Sequence, residues 1–331
     1  MNSAVIDVVG IGNAIVDVIA RADEPFLAEE GLAKGAMTLI DARRAESLYR
    51  RMGPATESSG GSAGNTMAGI ASLGGTGGYI GKVRDDLLGT VFRHDITAIG
   101  VRFDTPAATA GPGTARCLIL VTPDGQRTMS TYLGACVDLG PGEIDAALIG
   151  AAQVTYLEGY LFDPPKAQEA FRAAAAIAHR AGHRVALSLS DPFCVARHRA
   201  AFRELVAGEI DILFANEAEI CSLYETDDFA QAAAAVRGHV AIAALTRSAH
   251  GSLILADGAA YDIAAAPVEH VIDTTGAGDL YAAGFLYGLT RGLALPMCGT
   301  VGSLCAAEII SHVGARPETA LSGLVKAAGL L

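Results

Sequence analysis

The feature that most constrains the fold is a regular alternation of short apolar runs and helical stretches in the second half of the chain. Strand patterns at residues 154–157, 184–189, 210–215 and 241–246 alternate with helix patterns at residues 166–181, 196–207 and 230–238. Parallel strands need a crossover connection between them, and a helix usually provides it. The alternation therefore predicts an α/β fold in which a mostly parallel central sheet is covered by helices on both faces.

The first half of the chain predicts further strands and a separate β unit. Strands are expected at residues 4–11, 15–20, 37–40 and 79–83, and helices at 42–52, 66–73 and 86–99. Two β-rich arms, 114–122 and 126–132, flank a Pro-Asp-Gly turn, which is a hairpin signal. Since no linker or repeat interrupts the pattern, we predict one domain over residues 1–331, with a small β lid formed by about 13–40 and 109–132.

The composition excludes several classes of partner. The chain has 331 residues, of which 51% are hydrophobic and 18% charged, so it can bury a large core. Its net charge is −12 and it has no block of basic residues, which argues against a nucleic-acid partner. The apolar run at 4–20 is interrupted by acidic residues and is a poor signal peptide or membrane span. The six cysteines show no CxxC spacing and are expected to be reduced thiols, so we predict a cytoplasmic location without membrane contact.

Residues 273–279 read DTTGAGD, a sequence that suggests a site where an anion binds and reacts. They lie between an extended run, 267–272, and a helix pattern at 280–293. A Gly-Ala-Gly turn before a helix leaves the N–H groups of Gly276, Ala277 and Gly278 unpaired, and the helix dipole adds positive charge. Asp279 follows, where a carboxylate is kept ionised and can accept a proton from an alcohol. The alternative is that Asp279 only caps the helix.

Two glycine-containing motifs near the first strand suggest a ligand with hydroxyl groups. Residues 12–17 read GNAIVD, and Asp17 could accept two hydrogen bonds from a vicinal diol or lie in a surface turn. Residues 60–65 read GGSAGN, which is either a flexible loop or a site of close backbone approach to a ligand.

Taken in order along the chain, these motifs resemble those of the ribokinase-like (PfkB) carbohydrate and nucleoside kinases, whose two signatures are GGSxxN and DTTGAGD. The resemblance implies a ribokinase-like fold, with Asp279 as the catalytic base and the backbone of Gly276, Ala277 and Gly278 as the anion hole. It also implies a substrate site formed by Asn13, Asp17, Gly60, Gly61, Ser62 and Asn65. Arg127, in the predicted lid, either points into water or closes over the transferring phosphate and neutralises its charge.

The same resemblance implies sites for ATP and for metal ions. Residues 216–219 read NEAE and match the family's NxxE, in which Asn216 and Glu219 would organise Mg²⁺ through water. Residues 246–251 correspond to the TxGxxG nucleotide loop, with Ser248 in place of its first glycine. The implied nucleotide-binding residues are Asn216, Thr246, Ser248, Gly251 and Ser303. The implied loop for a monovalent cation, K⁺, acts largely through backbone carbonyls and comprises Asp273, Thr275, Ile309, His312 and Gly314.

The expected activity is ATP-dependent phosphorylation of a primary, 5′ hydroxyl of a ribonucleoside. The GNxxxD motif and the LSDPF of residues 189–193 resemble the forms found in the family's adenosine kinases, which favours adenosine. Apolar walls for the base are expected from Leu133, Phe162 and Phe193. A sugar kinase of the ribokinase or fructokinase type stays open, as does a nucleoside-binding protein without turnover. Either a monomer or a homodimer is compatible with the sequence.

Overall fold

The structure is a computed structural model that describes residues 6–330. Its strands are β1 (Ile6–Ile11), β2 (Ile15–Arg21), β3 (Met37–Leu39), β4 (Ala55–Ser59), β5 (Gly77–Ile80), β6 (Ala115–Val121), β7 (Arg127–Tyr132), β8 (Ala152–Glu158), β9 (Arg184–Ser188), β10 (Ile212–Asn216), β11 (Ile242–Thr246), β12 (Ser252–Ala256) and β13 (Ala259–Ile263). Its helices are α1 (Glu24–Glu29), α2 (Ala42–Arg51), α3 (Ser62–Ser72), α4 (Leu87–Ala98), α5 (Ala146–Gly150), α6 (Pro165–Arg180), α7 (Pro192–Arg197), α8 (Arg199–Gly208), α9 (Glu217–Tyr224), α10 (Phe229–Val236), α11 (Ala277–Thr290), α12 (Leu295–Ile309) and α13 (Leu321–Ala327).

The larger sheet has the order β13-β12-β11-β10-β9-β8-β1-β5. All its pairs from β5 to β11 are parallel, whereas β12 pairs antiparallel with both β11 and the edge strand β13. Successive residues of β1 point to opposite faces, so that Val8 joins one buried cluster and Val9 the other. On one face Phe285 of α11 packs edge-on against Phe214 of β10, with ring centroids 5.4 Å apart. The predicted α/β class, with helices on both faces, is confirmed.

The smaller sheet has the order β3-β7-β6-β2-β4. Four of its strands come from the two segments predicted as the lid, and β4 is the fifth. The sequence Ala-Thr-Glu-Ser-Ser of β4 carries no alternating apolar pattern, because its first residues are exposed to solvent. The sequence therefore predicts no strand here, although β4 pairs with β2 along its length.

Several predicted boundaries are wrong in detail. The strand expected at 79–83 runs from Gly77 to Ile80, and the helix expected at 66–73 begins four residues earlier, at Ser62. The helix expected at 196–207 is divided at His198 into α7 and α8. The extended run expected before the DTTGAGD motif has no regular structure. Residues 4 and 5 of the first predicted strand lie outside the described residues.

The six cysteines are free thiols, and five of them are buried, as expected for reduced core residues. Among residues 6–330, every helix is too short or too polar to cross a lipid bilayer.

Candidate active site

Asn13, from the GNAIVD motif, lies where strands of the larger sheet end. Asn13 follows β1 and Glu158 ends the neighbouring strand β8. The side-chain nitrogen of Asn13 donates to Glu158 Oε1 at 2.6 Å. In an open α/β sheet this carboxyl edge is where ligands bind, because loops and helix N-termini converge there. The geometry thus places the first motif in the expected position.

Asp279 lies in the first turn of α11, on the turn predicted as an anion site. Gly276 precedes the helix with φ of +79°, a left-handed conformation that favours glycine. The N–H of Ala277 donates to Thr274 O at 3.2 Å and is therefore partly engaged. Within residues 6–330 no acceptor lies within hydrogen-bonding distance of the N–H groups of Gly276 and Gly278. A Cβ at Gly278 would meet no atom within 4 Å, so the space beside the turn is open.

Two side chains from the first turn of α3 hold the Asp279 carboxylate. Ser62 Oγ donates to Asp279 Oδ1 at 2.6 Å, and Asn65 Nδ2 donates to Asp279 Oδ2 at 3.0 Å. Residues three apart on a helix share a face, which is why both reach one carboxylate. Burial raises the pKa of Asp279 from its ordinary value, while these two hydrogen bonds and the charge of Arg316 oppose the rise. The two signature motifs are therefore in direct contact.

Asp17, on β2 of the smaller sheet, packs against the Gly60 turn and lies close enough to Asp279 for their charges to interact. Burial raises the pKa of its carboxyl to about 6, the charges of Arg316 and Arg127 oppose the rise, and the negative charge of Asp279 adds to it. A Cβ built on Gly60 would lie 2.4 Å from Asp17 Cγ, so only glycine allows the backbone this close to the carboxylate. Gly61, with φ of +82°, would bring a Cβ to 2.2 Å from the carbonyl oxygen of Asn13. The two glycines thus allow the GGSAGN motif to pack tightly against Asp17 and Asn13.

Glu158 belongs to none of the motifs, but it contacts residues of two of them. Its side chain is buried and accepts hydrogen bonds from Asn13 N at 3.3 Å, from Asn13 Nδ2 and from Ala63 N at 2.8 Å. Burial raises its pKa to about 7, and these donors oppose the rise. It joins the end of β1 to the start of α3. A single Glu at the end of an apolar strand belongs to no motif that would identify its role. A charged residue next to a run of apolar residues is nevertheless unusual, and that feature could have marked Glu158 as a candidate.

Arg127 does not point into water. Its side chain is 5% exposed and forms an ion pair with Asp273, the first residue of the DTTGAGD motif. Asp273 also accepts hydrogen bonds from Thr275 N and Gly314 N, each at 3.0 Å. Since Arg127 belongs to β7, this contact fastens the smaller sheet to the loop that precedes the anion turn. The positive charge of Arg127 also lies near enough to Asp17 to lower its pKa.

Asn216 and Glu219 form a reciprocal cap at the start of α9. Asn216 accepts from Glu219 N at 2.9 Å, while the Glu219 carboxylate accepts from Asn216 N at 2.9 Å and from Asn216 Nδ2 at 2.6 Å. Burial raises the pKa of Glu219 to about 7, and the negative charges of Asp191 and Asp279 add to the rise. Each oxygen of the Glu219 carboxylate thus accepts one hydrogen bond from Asn216, beside a region of concentrated negative charge.

The predicted nucleotide loop is the connection between β11 and β12. Ser248 has φ of +50°, so it occupies the left-handed conformation that the family's glycine would take more readily. Gly251, with φ of +78°, would bring a Cβ to 1.9 Å from Ile263 O. A cavity of about 500 Å³ opens here, lined by Asn216, Glu217, Ala218, Cys221, Asp227, Thr246, Arg247 and Ser248. Three of the predicted nucleotide residues thus border one open cavity.

The remaining predicted residues lie on and after α12. The hydroxyl of Ser303 accepts from Ala266 N at 2.8 Å and lies 3.3 Å from Ala264 O, so it is engaged with the backbone. Ile309 is the last residue of α12 and is buried. His312 Nε2 lies 3.3 Å from Glu308 Oε1, and Gly314 donates to Asp273. Residues 6–330 contain no group of three or more His, Cys, Asp or Glu side chains arranged to hold a metal ion.

Only part of the expected apolar wall is available. Phe162 is 1% exposed and stacks on Phe202 with ring centroids 4.3 Å apart, so it belongs to the core and the prediction for it is wrong. Phe193 is 74% exposed, and Leu133 packs against the core cluster at the smaller sheet.

Comparison with known proteins decides the family. Residues 8–320 match the family described as pfkB family carbohydrate kinase. The chain belongs to this family. As a member it is a phosphotransferase that acts on a hydroxyl group, and membership implies ATP as the donor and usually Mg²⁺.

Solved structures and curated relatives agree with the family. The crystal structure of adenosine kinase from Sinorhizobium meliloti is 52% identical, with a TM-score of 0.90, and the match covers 98% of this chain and 99% of that one. A probable sugar kinase protein from Rhizobium etli CFN 42 is also 52% identical, with a TM-score of 0.91 and the same coverage. Adenosine kinase 1 of Arabidopsis thaliana is 25% identical over 330 residues, which are 92% of this chain and 94% of that protein.

Proposed function

We propose that this pfkB family protein transfers the γ-phosphate of ATP to the 5′-hydroxyl of a ribonucleoside, and that adenosine, converted to AMP, is its best substrate. The observation that carries the proposal is the presence of two carboxylates, Asp17 and Asp279, close enough for their charges to interact. Asp17 comes from the smaller sheet, and Asp279 from the anion turn. The similarity to the Sinorhizobium meliloti adenosine kinase supports adenosine as the nucleoside.

In the proposed reaction Asp279 takes the proton of the 5′-hydroxyl as its oxygen attacks the γ-phosphorus. A bond forms between that oxygen and phosphorus, the bond from phosphorus to the β–γ bridging oxygen breaks, and ADP leaves with the electron pair. The N–H groups of Gly276 and Gly278, which lack protein acceptors among the described residues, would hold the charge on the transferring group. Ser62 and Asn65 would keep the Asp279 carboxylate aimed at the hydroxyl.

The substrate is proposed to lie between Asp17 and the GGSAGN motif of residues 60–65. An ionised Asp17 would accept hydrogen bonds from the 2′ and 3′ hydroxyls, and the contact with Gly60 fixes the direction of its oxygens. Asn13 is held by Glu158 and would contribute from a fixed position, with Gly61 beside it. Arg127 borders this region but is held by its ion pair with Asp273, so it would act on the transferring phosphate through its charge and not by direct contact.

ATP is proposed to occupy the cavity beside Asn216, Thr246 and Ser248, with Gly251 shaping its loop. The residues present fit an outer-shell Mg²⁺ site, because this ion prefers few carboxylates and several waters. Asn216 and Glu219 would hold the waters of the ion, next to negative charge from Asp191 and Asp279 that a cation would offset. When bound, Mg²⁺ would offset charge on the phosphates. Ser303 would contribute through its backbone, since its hydroxyl already bonds to residues 264 and 266.

A monovalent cation such as K⁺ fits less well. The Asp273 carboxylate already has Arg127, Thr275 N and Gly314 N as partners, so its side chain is not free to bind an ion. A cation would therefore depend on backbone carbonyls of Asp273, Thr275, Ile309, His312 and Gly314. The proposed K⁺ site is therefore formed by those carbonyls alone.

The alternative function is that of a sugar kinase within the same family. It is favoured by the similarity to the probable sugar kinase of Rhizobium etli and by the position of Phe162, which removes one expected wall for a base. A nucleoside-binding protein without turnover is disfavoured, because the Asp279 carboxylate and the open anion turn would have no use.

A substrate panel tests the proposal. Adenosine, inosine, guanosine, cytidine, ribose and fructose would each be incubated with the protein and Mg-ATP, and the phosphorylated product identified by mass spectrometry. We expect adenosine to exceed ribose and fructose by roughly 10² in kcat/KM, since burial of an aromatic base contributes a few kcal/mol at about 25 cal/mol per Å². A higher kcat/KM for ribose or fructose would select the sugar kinase. Binding of adenosine without product would select the silent binding protein.

The cellular setting belongs to the same proposal. Formation of AMP from adenosine would be a purine salvage reaction in the cytoplasm, where the free state of all six cysteines is chemically stable. The working form is proposed to be a monomer or a homodimer.

A further inference from the structure

Arg316 is a charged residue of the site that none of the motifs contains. It lies in the segment between α12 and α13, two residues after Gly314. Its Nε donates to Ser59 O at 3.0 Å, its Nη2 to Ser59 O at 2.5 Å and to Ser59 Oγ at 2.8 Å, and its Nη1 to Gly64 O at 2.8 Å. Ser59 ends β4, and Gly64 lies in the first turn of α3. One guanidinium thus fastens the smaller sheet to the helix that carries Ser62 and Asn65.

The fastened segment is the one that shapes the substrate site. Gly60 follows Ser59 directly and packs on the Asp17 carboxylate. Ser59 is held from its other side by Asp95 of α4, whose Oδ2 accepts from Ser59 N at 2.8 Å and from Ser59 Oγ at 2.5 Å. A displacement of Arg316 would therefore move the Gly60 turn relative to Asp17, and α3 relative to Asp279.

The charge of Arg316 is also placed unusually. Among residues 6–330 no carboxylate oxygen lies within 4.0 Å of its guanidinium, and all its hydrogen bonds go to neutral oxygens. Its positive charge acts on Asp17, Asp279 and Asp95 without contact. For Asp17 it is the largest influence that lowers the pKa, and for Asp279 it adds to the effect of Ser62 and Asn65. An unpaired cation beside two acids stabilises both of them in the ionised form.

We propose that Arg316 is a positioning residue for phosphoryl transfer, which fixes the Gly60 turn and α3 and supplies the positive charge that allows Asp17 and Asp279 to be ionised together. The inference rests on the proposed function, because it assigns the two acids their roles. Other titratable groups face these carboxylates or Arg316 itself, and they are Arg127, Cys117, Tyr79, Tyr156, Glu158, Tyr160 and Glu219.

The test compares pH profiles of kcat/KM for adenosine in the wild type and in Arg316→Gln, Arg316→Lys and Arg93→Gln. Arg93 is the matched control, because it donates to two backbone carbonyls, Phe103 O and Thr105 O, at 2.7 and 2.6 Å but faces neither acid. In Arg316→Gln the acids lose the nearby cation, so their pKa values rise and the acid limb of the profile moves to higher pH. A displacement of one pH unit corresponds to roughly tenfold lower kcat/KM at a pH on that limb, with recovery at high pH. Arg316→Lys keeps the charge and should leave the limb in place while raising KM.

Three outcomes would overturn the inference. They are an Arg316→Gln profile that falls equally at every pH, one that matches the wild type, and an Arg93→Gln profile displaced as far as that of Arg316→Gln. If Arg316→Gln does not fold, Arg316→Lys alone tests the inference. Displacement of its acid limb to higher pH would overturn the inference, because the lysine keeps the positive charge. The proposed function fails separately, when the wild type itself does not phosphorylate adenosine.

Discussion

At the residue scale, the chemistry of each acid depends on what is packed against it. Asp279 was predicted from a short motif, and its partners Ser62 and Asn65 from another, but no pattern joined the two motifs. Glu158 and Arg316 were missed because their partners lie far away in sequence. A motif reports local backbone geometry, whereas the environment of a buried charge is assembled by the fold.

Gly60→Ala tests the contact with Asp17. The new Cβ would lie 2.4 Å from Asp17 Cγ and must displace the carboxylate. Loss of hydrogen bonds between a charged group and the diol costs about 1.5–3 kcal/mol, so KM for adenosine should rise roughly 10- to 100-fold. Gly53→Ala is the control, because its Cβ would meet nothing within 4 Å. Unchanged adenosine kinetics in Gly60→Ala would show that Asp17 does not bind the substrate.

Ser248→Gly tests the departure from the family's nucleotide loop. Ser248 has a φ of +50°, which costs a non-glycine residue about 1–2 kcal/mol. Glycine removes this strain but adds freedom to the unfolded chain, so the free energy of unfolding should stay equal or rise by up to about 1 kcal/mol. Ala249→Gly, in the same turn, should lower it by about 0.5–1 kcal/mol. Urea denaturation measures both, and a clear loss of stability in Ser248→Gly would contradict the assignment of strain.

At the element scale, periodicity predicted most strands and helices because buried strands and amphipathic helices carry strong apolar patterns. It failed for β4, which is polar and is held by pairing with β2. It also failed at residues 267–272, where the predicted extended run pairs with no strand among residues 6–330 and Val271 is 60% exposed. Pairing partners are properties of the whole sheet, so local sequence cannot supply them.

The ion pair between β7 and the DTTGAGD loop gives a test of the proposed potassium site. Removal of one partner of a buried ion pair costs about 3–5 kcal/mol, because the remaining charge is left unpaired. Arg127→Gln should therefore lower the free energy of unfolding by roughly that amount in choline chloride, and KCl should restore part of it by binding near Asp273. Arg291→Gln breaks the ion pair with Asp7 and should show no potassium effect.

Equal stability of Arg127→Gln in the two salts would show that the Asp273 carboxylate does not bind K⁺ even when it is freed from Arg127. In the wild type, activity in potassium above that in sodium or choline at equal ionic strength would support the backbone-carbonyl form of the site. Equal rates there would leave the kinase proposal intact.

At the scale of the whole molecule, the alternating pattern predicted the fold class. The fold also buries acidic side chains that water would solvate in the unfolded chain. Burial raises the pKa of Asp17 to about 6 and of Glu158 and Glu219 to about 7. The folded protein therefore holds these protons more tightly than the unfolded chain. The contribution of these groups to the free energy of unfolding should be greatest below about pH 4. It should be lost as the pH rises to about 7.

Glu219→Gln isolates one of these groups. Between pH 5 and pH 8 the stability of the variant relative to the wild type should increase by roughly 2 kcal/mol, because only the wild type must bury an ionised carboxylate. Glu269→Gln, whose side chain is 93% exposed in the native protein, should show no such trend. Denaturant unfolding at several pH values measures the difference, and a pH-independent difference for Glu219→Gln would contradict the burial argument.

The central claim, that Asp279 takes the proton from the acceptor hydroxyl, is tested most directly by Asp279→Asn. Asparagine can still accept from Asn65 and donate to Ser62, so the site should keep its shape. With adenosine and Mg-ATP, kcat should fall by roughly 10²–10⁴, the usual effect of removing a general base, while the Kd of adenosine measured by calorimetry changes little. A kcat within threefold of the wild type would contradict the account.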